Sequence, residues 1–203
     1  MKEDTNEEIE VTNSAIFRDL KRRVKITRKA RIIASRRLRS KYEYYEKVTH
    51  IYSLIILVLS IWFITAEGPG AIIATKSLLI LSLSLTFFTM YVNIKNYKER
   101  ASNFESNYQS LDILLNKIER LEATVLEIDS EDLKGLHREY EKVLLEKENH
   151  LDIDYMMTDE KKFKSKICVH NIFEFAVKLI VAFYPLILLL VIFLASQLLK
   201  MVY

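Results

Sequence analysis

The sequence predicts an all-α integral membrane protein. The chain has 203 residues, half of them hydrophobic, and three stretches contain no charged side chain: 48–66, 77–94 and 179–199. All 30 Lys and Arg and all 27 Asp and Glu lie outside them. At roughly 1.5 Å per helical residue, each stretch approaches or exceeds the ~30 Å of a hydrocarbon core. The 3 glycines and 2 prolines offer few turns for a sheet.

Composition also argues against a catalytic or metal site. The single cysteine, Cys168, cannot form an internal disulfide, and the 4 histidines are dispersed. There is no glycine-rich phosphate loop. The acidic start of the chain is unlike a cleavable signal peptide. We therefore predict no enzyme activity, no cofactor and no metal.

The N-terminal region changes sign along its length. Residues 1–13 are acidic and predict a flexible tip. Residues 14–47 are rich in Lys and Arg, and their apolar residues share one helical face, which predicts a basic amphipathic helix in one piece or two. That face comprises Phe17, Leu20, Val24, Ala34, Leu38, Tyr42 and Tyr45.

Residues 48–94 predict a two-span transmembrane hairpin, with spans at about 48–66 and 72–94. Between the spans, Glu67-Gly68-Pro69-Gly70 is the strongest turn signal in the chain, because glycine permits positive φ and proline cannot continue a helix.

Residues 95–170 predict a cytoplasmic helical region. A heptad-like apolar face is followed by a helix start at Asp129-Ser130-Glu131-Asp132 and by a second helix with Leu133, Leu136, Tyr140 and Leu144 inward. The heptad face either packs on this second helix within one subunit or joins different chains. It comprises Phe104, Tyr108, Leu111, Leu115, Ile118, Val125 and Ile128.

Residues 171–203 predict a third, C-terminal transmembrane helix, with Pro185 inside it. The alternative is an apolar helix that packs across the others without a simple crossing. Basic residues in short loops stay in the cytoplasm. Thirteen Lys and Arg lie between Arg18 and Lys47, before the first span, whereas only Lys76 lies near the hairpin. We therefore expect a multi-pass membrane protein with a cytoplasmic N-terminus.

Several short motifs resemble the SLATT family, the two-transmembrane effectors associated with SMODS nucleotidyltransferases and SLOG nucleotide sensors. They are Arg36-Arg37-Leu38, Asn96-Tyr97-Lys98 with Arg100-Ala101, Tyr140, Glu148-Asn149-His150 and Ile153-Asp154-Tyr155. The last two are most similar to the subfamily found beside reverse transcriptases. The resemblance covers roughly residues 25–157, and the third apolar stretch departs from the two-span pattern.

The resemblance implies an effector of antiviral defence in the bacterial inner membrane, which oligomerises and forms a pore or otherwise permeabilises that membrane. A sensor partner would activate it, namely a nucleotidyltransferase, a nucleotide sensor or a reverse transcriptase, and the infected cell would stop growing or die. Alternatives from other classes are a membrane-anchored scaffold that recruits a partner enzyme and an RNA-binding membrane tether.

A pore needs a polar helix face, and the second span offers one in Ser82, Thr86, Thr89 and Asn93, spaced 4, 3 and 4 apart. The first span has a thinner version in Ser53 and Ser60. The alternative is that these hydroxyls mediate tight helix packing or bond their own backbone.

Two further groups are candidate contact sites. A cytoplasmic switch or partner contact is predicted at Glu148, Asn149, His150, Asp154 and Tyr155, with a structural helix cap as the alternative. Binding to anionic lipid, or less favourably to nucleic acid, is predicted for a second group, with a role in fixing topology alone as the alternative. That group is Arg36, Arg37, Arg39 and Lys41.

Overall fold

The computed structural model describes residues 2–124, 128–146 and 148–202, and within them the side-chain surroundings of residues 13–194 and 197. Over these residues the chain is helical and contains no strand, which confirms the predicted all-α class. The order is α1 (Lys2–Phe63), α2 (Pro69–Ile94), α3 (Tyr97–Thr124), α4 (Ser130–Leu145), α5 (Asp152–Met156), a 3-10 turn (Met157–Asp159) and α6 (Glu160–Val202).

The first compact unit contains residues 1–39 and 98–167. Its core is a cluster of buried apolar side chains from α1, α3 and α4: Phe17, Leu20, Val24, Leu111, Leu114, Leu115, Ile118, Leu133, Leu136, Tyr140 and Val143. The predicted apolar faces of these three helices therefore pack on one another within one chain. Ile128 and Leu144 pack against the cluster, and Val125 lies outside the described residues.

The second compact unit contains residues 40–97 and 168–203. It holds the apolar part of α1, all of α2 and most of α6. The rings of Tyr45, Tyr52, Phe88 and Tyr184 contact one another, with Phe88 stacked on Tyr184 at 5.4 Å between centroids. The Tyr44 and Tyr52 hydroxyls donate to the carbonyls of Lys178 and Ala182 on α6.

The helix boundaries differ from the predicted ones at the N-terminus. The tip, the basic helix and the first span form one helix, because no glycine or proline interrupts residues 2–63. The first span also ends at Phe63, before the turn in which Gly68 has φ +97°. Further along, α2 ends at Ile94 and α4 begins at Ser130 after Asp129, where the sequence pattern places these helix ends.

Candidate functional site

A cluster of charged side chains lies inside the first unit, and we call it the polar cluster: Arg31, Arg37, Arg100, Glu148 and Asp154. Its most buried carboxylate is that of Asp154, whose side chain is 0% exposed beside an Arg37 side chain that is 14% exposed. Arg37 Nε donates to Asp154 Oδ1 at 2.8 Å, and Arg37 Nη2 donates to Oδ2 at 2.9 Å. This two-pronged geometry is the strongest form of a carboxylate–guanidinium contact.

The Asp154 carboxylate also holds its own segment of backbone. Its Oδ2 accepts the backbone N–H of Leu151 at 3.0 Å, at the start of α5. One buried carboxylate thus joins α1 to α5, which are far apart in sequence.

Glu148 connects the same segment to two other helices. Its backbone carbonyl accepts Arg31 Nη1 at 2.8 Å. Its carboxylate accepts Arg100 Nε at 2.8 Å and 3.1 Å on its two oxygens, where both side chains are partly exposed. The residues between α4 and α5 are therefore tied to α1 and to α3 by arginines.

Arg31 is the most unusual member of the polar cluster, because it is a fully buried cation. It is 1% exposed, and its guanidinium carbon lies 5.6 Å from the centroid of the Phe104 ring. Its Nε has no hydrogen-bond partner among the described residues. Burial lowers the pKa of Arg31, and Tyr140 and Glu148 oppose that shift. A guanidinium still stays protonated, so the polar cluster holds an incompletely compensated buried charge.

Three more polar contacts join the helices of the first unit. Ser35 Oγ donates to the Ala101 carbonyl at 3.0 Å, Asn107 Nδ2 donates to the Val143 carbonyl at 2.7 Å, and the hydroxyls of Thr27 and Tyr140 are 2.8 Å apart. Arg31, Ser35 and Asn107 are missing from the predicted site. A signal for Arg31 exists in the sequence, since Val24, Thr27, Arg31 and Leu38 have the spacing of a buried helix face.

The predicted switch residues are divided by the structure. Glu148 and Asp154 belong to the polar cluster. Asn149 and His150 make local contacts instead, with Asn149 Oδ1 accepting the His150 backbone N–H at 3.0 Å. Tyr155 is 47% exposed.

The predicted lipid-binding or nucleic-acid-binding residues are mostly paired within the chain. Arg37 binds Asp154, Arg39 pairs with Glu105, and Lys41 Nζ lies 2.6 Å from Glu174 Oε1. Arg36 is exposed. A cation that is already paired with a carboxylate attracts a phosphate only weakly.

The predicted polar stripe on α2 lies beside the packed face of that helix. Leu78, Leu81 and Leu85 are buried, whereas Ser82, Thr86 and Asn93 are exposed and Thr89 is half-buried. Thr86 donates to the Ser82 carbonyl at 3.0 Å, and Thr89 donates to the Leu85 carbonyl at 2.8 Å. Ser53 and Ser60 of α1 are also exposed, and Ser60 donates to the Ile56 carbonyl. The threonines and Ser60 thus satisfy their hydroxyl protons on their own helices.

In the part of the chain that the structure describes, three helical stretches are long and apolar enough to cross a membrane: Asn13–Phe63 of α1, Pro69–Thr124, which contains α2, and Glu160–Leu194 of α6. In the most apolar segment of each stretch, only 6%, 22% and 6% of the residues, respectively, are buried by the rest of the chain. Their exposed side chains include Leu57, Trp62, Leu79, Leu83, Phe87, Phe173, Ile180 and Leu190. In water such continuous apolar surface would drive aggregation, so lipid or other chains must cover it.

Comparison with protein families gives a match over most of the chain. The family model described as "SMODS and SLOG-associating 2TM effector domain family 5" matches residues 13–198. The match extends beyond the predicted range of 25–157 and includes most of α6. No curated protein and no solved structure matches the chain.

Proposed function

This chain belongs to the SMODS and SLOG-associating 2TM effector domain family, and we propose that it is a pore-forming member. The family assignment and the apolar helices make it a membrane effector associated with defence systems. We further propose that several copies assemble and permeabilise the bacterial inner membrane, so that an infected cell stops growing or dies.

The observation that carries the proposal is the exposed polar stripe of α2, which lies among the uncovered apolar surfaces of the candidate spans. In a monomer, lipid acyl chains could cover the apolar surface of these helices. The polar stripe of α2 would then face the same acyl chains. Side-chain amides such as that of Asn93 are costly to expose to hydrocarbon, and polar residues in spans therefore face other helices or water. Exposure of Ser82, Thr86 and Asn93 supports a stripe that faces neighbouring copies or an aqueous path.

Three spans from one chain enclose no useful aqueous path, so a pore requires an oligomer. The heptad face between Phe104 and Ile128 is occupied by α1 and α4 within the chain. We therefore infer that the copies meet through the membrane helices. This differs from an assembly held by intermolecular coiled coils, which the sequence also allowed.

We propose that the polar cluster is the cytoplasmic switch. A buried ion pair is costly to form but even more costly to leave half-broken, so such a cluster has two well-separated states. α1 contributes residues both to the polar cluster and to the candidate spans, which offers a physical connection between them. Release of the cluster by an activating partner would free the first part of α1.

The partner in this proposal is a sensor of infection. The family description supports association with SMODS or SLOG proteins, and a reverse transcriptase is the finer assignment that the Glu148–Tyr155 motifs suggest. The excess of Lys and Arg before the first span supports a cytoplasmic N-terminus, on the side of the membrane where a sensor partner would bind.

Dye-loaded phospholipid vesicles test the pore directly. The purified full chain should release the dye, and the Thr86→Leu/Thr89→Leu variant should insert equally well and release little, because the middle of its polar stripe is now apolar. The matched control is Leu79→Met/Leu83→Met on a neighbouring exposed face, which should leak like the natural chain. Unchanged leakage from the threonine variant would make the stripe a packing feature, and an absence of leakage from any inserted form would argue against a pore.

One observation favours the alternative function, a membrane-anchored scaffold. Near the α4–α5 connection, Leu145, Leu151 and Tyr155 are 86%, 51% and 47% exposed, which suits contact with a partner protein. A scaffold predicts that Leu145→Glu abolishes co-purification of the partner, whereas the Thr86→Leu/Thr89→Leu variant keeps full function in cells. The RNA-tether alternative is not favoured, because acidic side chains of the chain itself pair with Arg37, Arg39 and Lys41.

A further inference from the structure

We propose that four lysines at the start of α6 bind the anionic phosphate headgroups of membrane phospholipids. We call Lys161, Lys162, Lys164 and Lys166 the lysine segment, and all four are exposed. Among the described residues, no ion pair joins any of them to a carboxylate. This inference requires only that the chain sits in a membrane and is independent of pore formation.

The basic part of α1 provides the contrast. Its cations face acidic side chains from α3: Arg28 Nε lies 2.8 Å from Asp112 Oδ1, and Lys25 Nζ lies 3.2 Å from Glu119 Oε1. Lys21 pairs with Glu122. The most basic stretch of the sequence is thus largely neutralised inside the protein, whereas the shorter lysine segment keeps its charge available.

The acidic groups near the lysine segment do not cancel it. Asp159 and Glu160 precede it, and Asp159 Oδ1 accepts the backbone N–H of Lys162 at 3.3 Å, so this carboxylate caps backbone. The ammonium of Lys162 lies 5.4 Å from the centroid of the Phe163 ring. Four lysines against two acids leave an excess of positive charge.

The apolar residues just beyond the lysine segment on α6 point to lipid as the ligand. After Phe163, whose φ of −114° and ψ of 18° are not helical, the helix is regular. Lys166, Val169 and Phe173 are spaced 3 and 4 apart and share a face, and Val169 and Phe173 are 66% and 64% exposed. Ile172 and Phe175 are equally exposed at 63% and 67%.

This order matches the polarity of a membrane surface. An ammonium on a long apolar stem can stay at the headgroups while the next turn enters hydrocarbon. Clusters of Lys beside a span attract anionic leaflets, and each contribution adds to the others. A nucleic acid would use the ammonium groups but has no use for the exposed Val, Ile and Phe side chains that come after them.

Binding of individual lipids to the full chain in a neutral detergent tests the site. Native mass spectrometry would compare retention of phosphatidylglycerol with retention of phosphatidylcholine. For Lys161→Gln/Lys162→Gln/Lys164→Gln/Lys166→Gln we expect phosphatidylglycerol affinity to fall at least ~10-fold with phosphatidylcholine retention unchanged. The Lys→Arg variant at the same four positions should keep its affinity, because charge and not shape is recognised.

The control removes four exposed cations elsewhere: Arg18→Gln/Arg120→Gln/Arg138→Gln/Lys142→Gln. It has the same net charge as the glutamine variant of α6 and should keep phosphatidylglycerol. Equal losses in both variants, or no loss in either, would overturn the proposal. So would loss of RNA oligonucleotide binding from the α6 variant while phosphatidylglycerol binding persists. Matching melting curves in phosphatidylcholine would verify that each variant is folded.

Discussion

The two units treat the same kind of side chain in opposite ways. In the unit of residues 1–39 and 98–167, Leu111 is 0% exposed and lies in a shared apolar core. In the unit of residues 40–97 and 168–203, Leu79 is 70% exposed. The first unit uses apolar residues to exclude water and hides charges among them. The second unit exposes its apolar residues, which lipid or other chains must cover. One chain therefore combines a unit suited to water with a unit suited to a membrane.

Removing the most buried carboxylate of the polar cluster should disrupt the first unit most strongly. Asp154→Ala leaves Arg37 buried without its carboxylate, and we expect a loss of about 3–5 kcal/mol in unfolding free energy. Urea unfolding of the full chain in a mild detergent, followed by circular dichroism, measures the loss. The double variant Arg37→Leu/Asp154→Leu should lose less than Asp154→Ala, because it leaves no orphan charge.

A loss below ~1 kcal/mol for Asp154→Ala would mean that water reaches Arg37, and the cluster would then not be a switch. The same variant carries the functional prediction. If the polar cluster holds the effector inactive, the variant should release vesicle dye at a lower protein concentration than the natural chain does, with no partner present. A destabilised variant that leaks no more than the natural chain would separate the stability role from the switch role.

Core truncation tests the contrast between the two units directly. Leu111→Ala should cost about 2–5 kcal/mol, because a cavity remains among α1, α3 and α4. Leu79→Ala in detergent should cost much less, since its side chain has few protein neighbours. The same urea unfolding compares both, and equal losses would show that Leu79 is packed against another copy.

A smaller effect is expected where a single buried hydrogen bond is removed. Ser35→Ala takes a donor from the Ala101 carbonyl, and we expect a loss of about 0.5–1.5 kcal/mol. Thermal melting in detergent should resolve it. Ser110 provides the control, because its hydroxyl is bonded to its own helix at the Ser106 carbonyl, and Ser110→Ala should be near neutral.

The smallest effect belongs to the exposed ion pair of Arg39 and Glu105, whose side chains are 55% and 31% exposed. Glu105→Gln should cost about 0–1 kcal/mol, and the difference should shrink as salt rises. A melting series in increasing salt measures this. A large loss independent of salt would mean that the pair is shielded from water, as the Arg37–Asp154 pair is.

Most of the fold can be derived from local patterns. The charge-free stretches, the Gly68 turn and the Asp129 helix start predict where helices run, because length and capping act over a few residues. The apolar faces of α1, α3 and α4 were also predictable, and Leu20, Leu111 and Leu136 are all buried as their spacing indicates. The exception is the continuous α1, in which changes of composition look like boundaries although no residue breaks the helix.

The site was only partly predictable. Asp154 and Arg37 are both among the predicted residues, but they are assigned to different roles, as a switch and as a phosphate or headgroup binder. A basic run looks available for anions until its partners are known. Arg31 and Asn107 were missed, because a polar residue on an apolar face has no sequence sign that says which distant carbonyl will accept its proton.

The order of residues was enough to establish a helical membrane protein and the places of its long apolar helices, since hydrophobic length and helical period are properties of neighbouring residues. Which charges are neutralised within the chain became clear from the folded arrangement alone. Folding brings Arg37 to Asp154 across 117 positions, and it leaves the lysine segment of α6 without an ion pair among the described residues. Electrostatic pairing depends on the distance between two charges in space. That distance cannot be read from the spacing of the two residues along the chain.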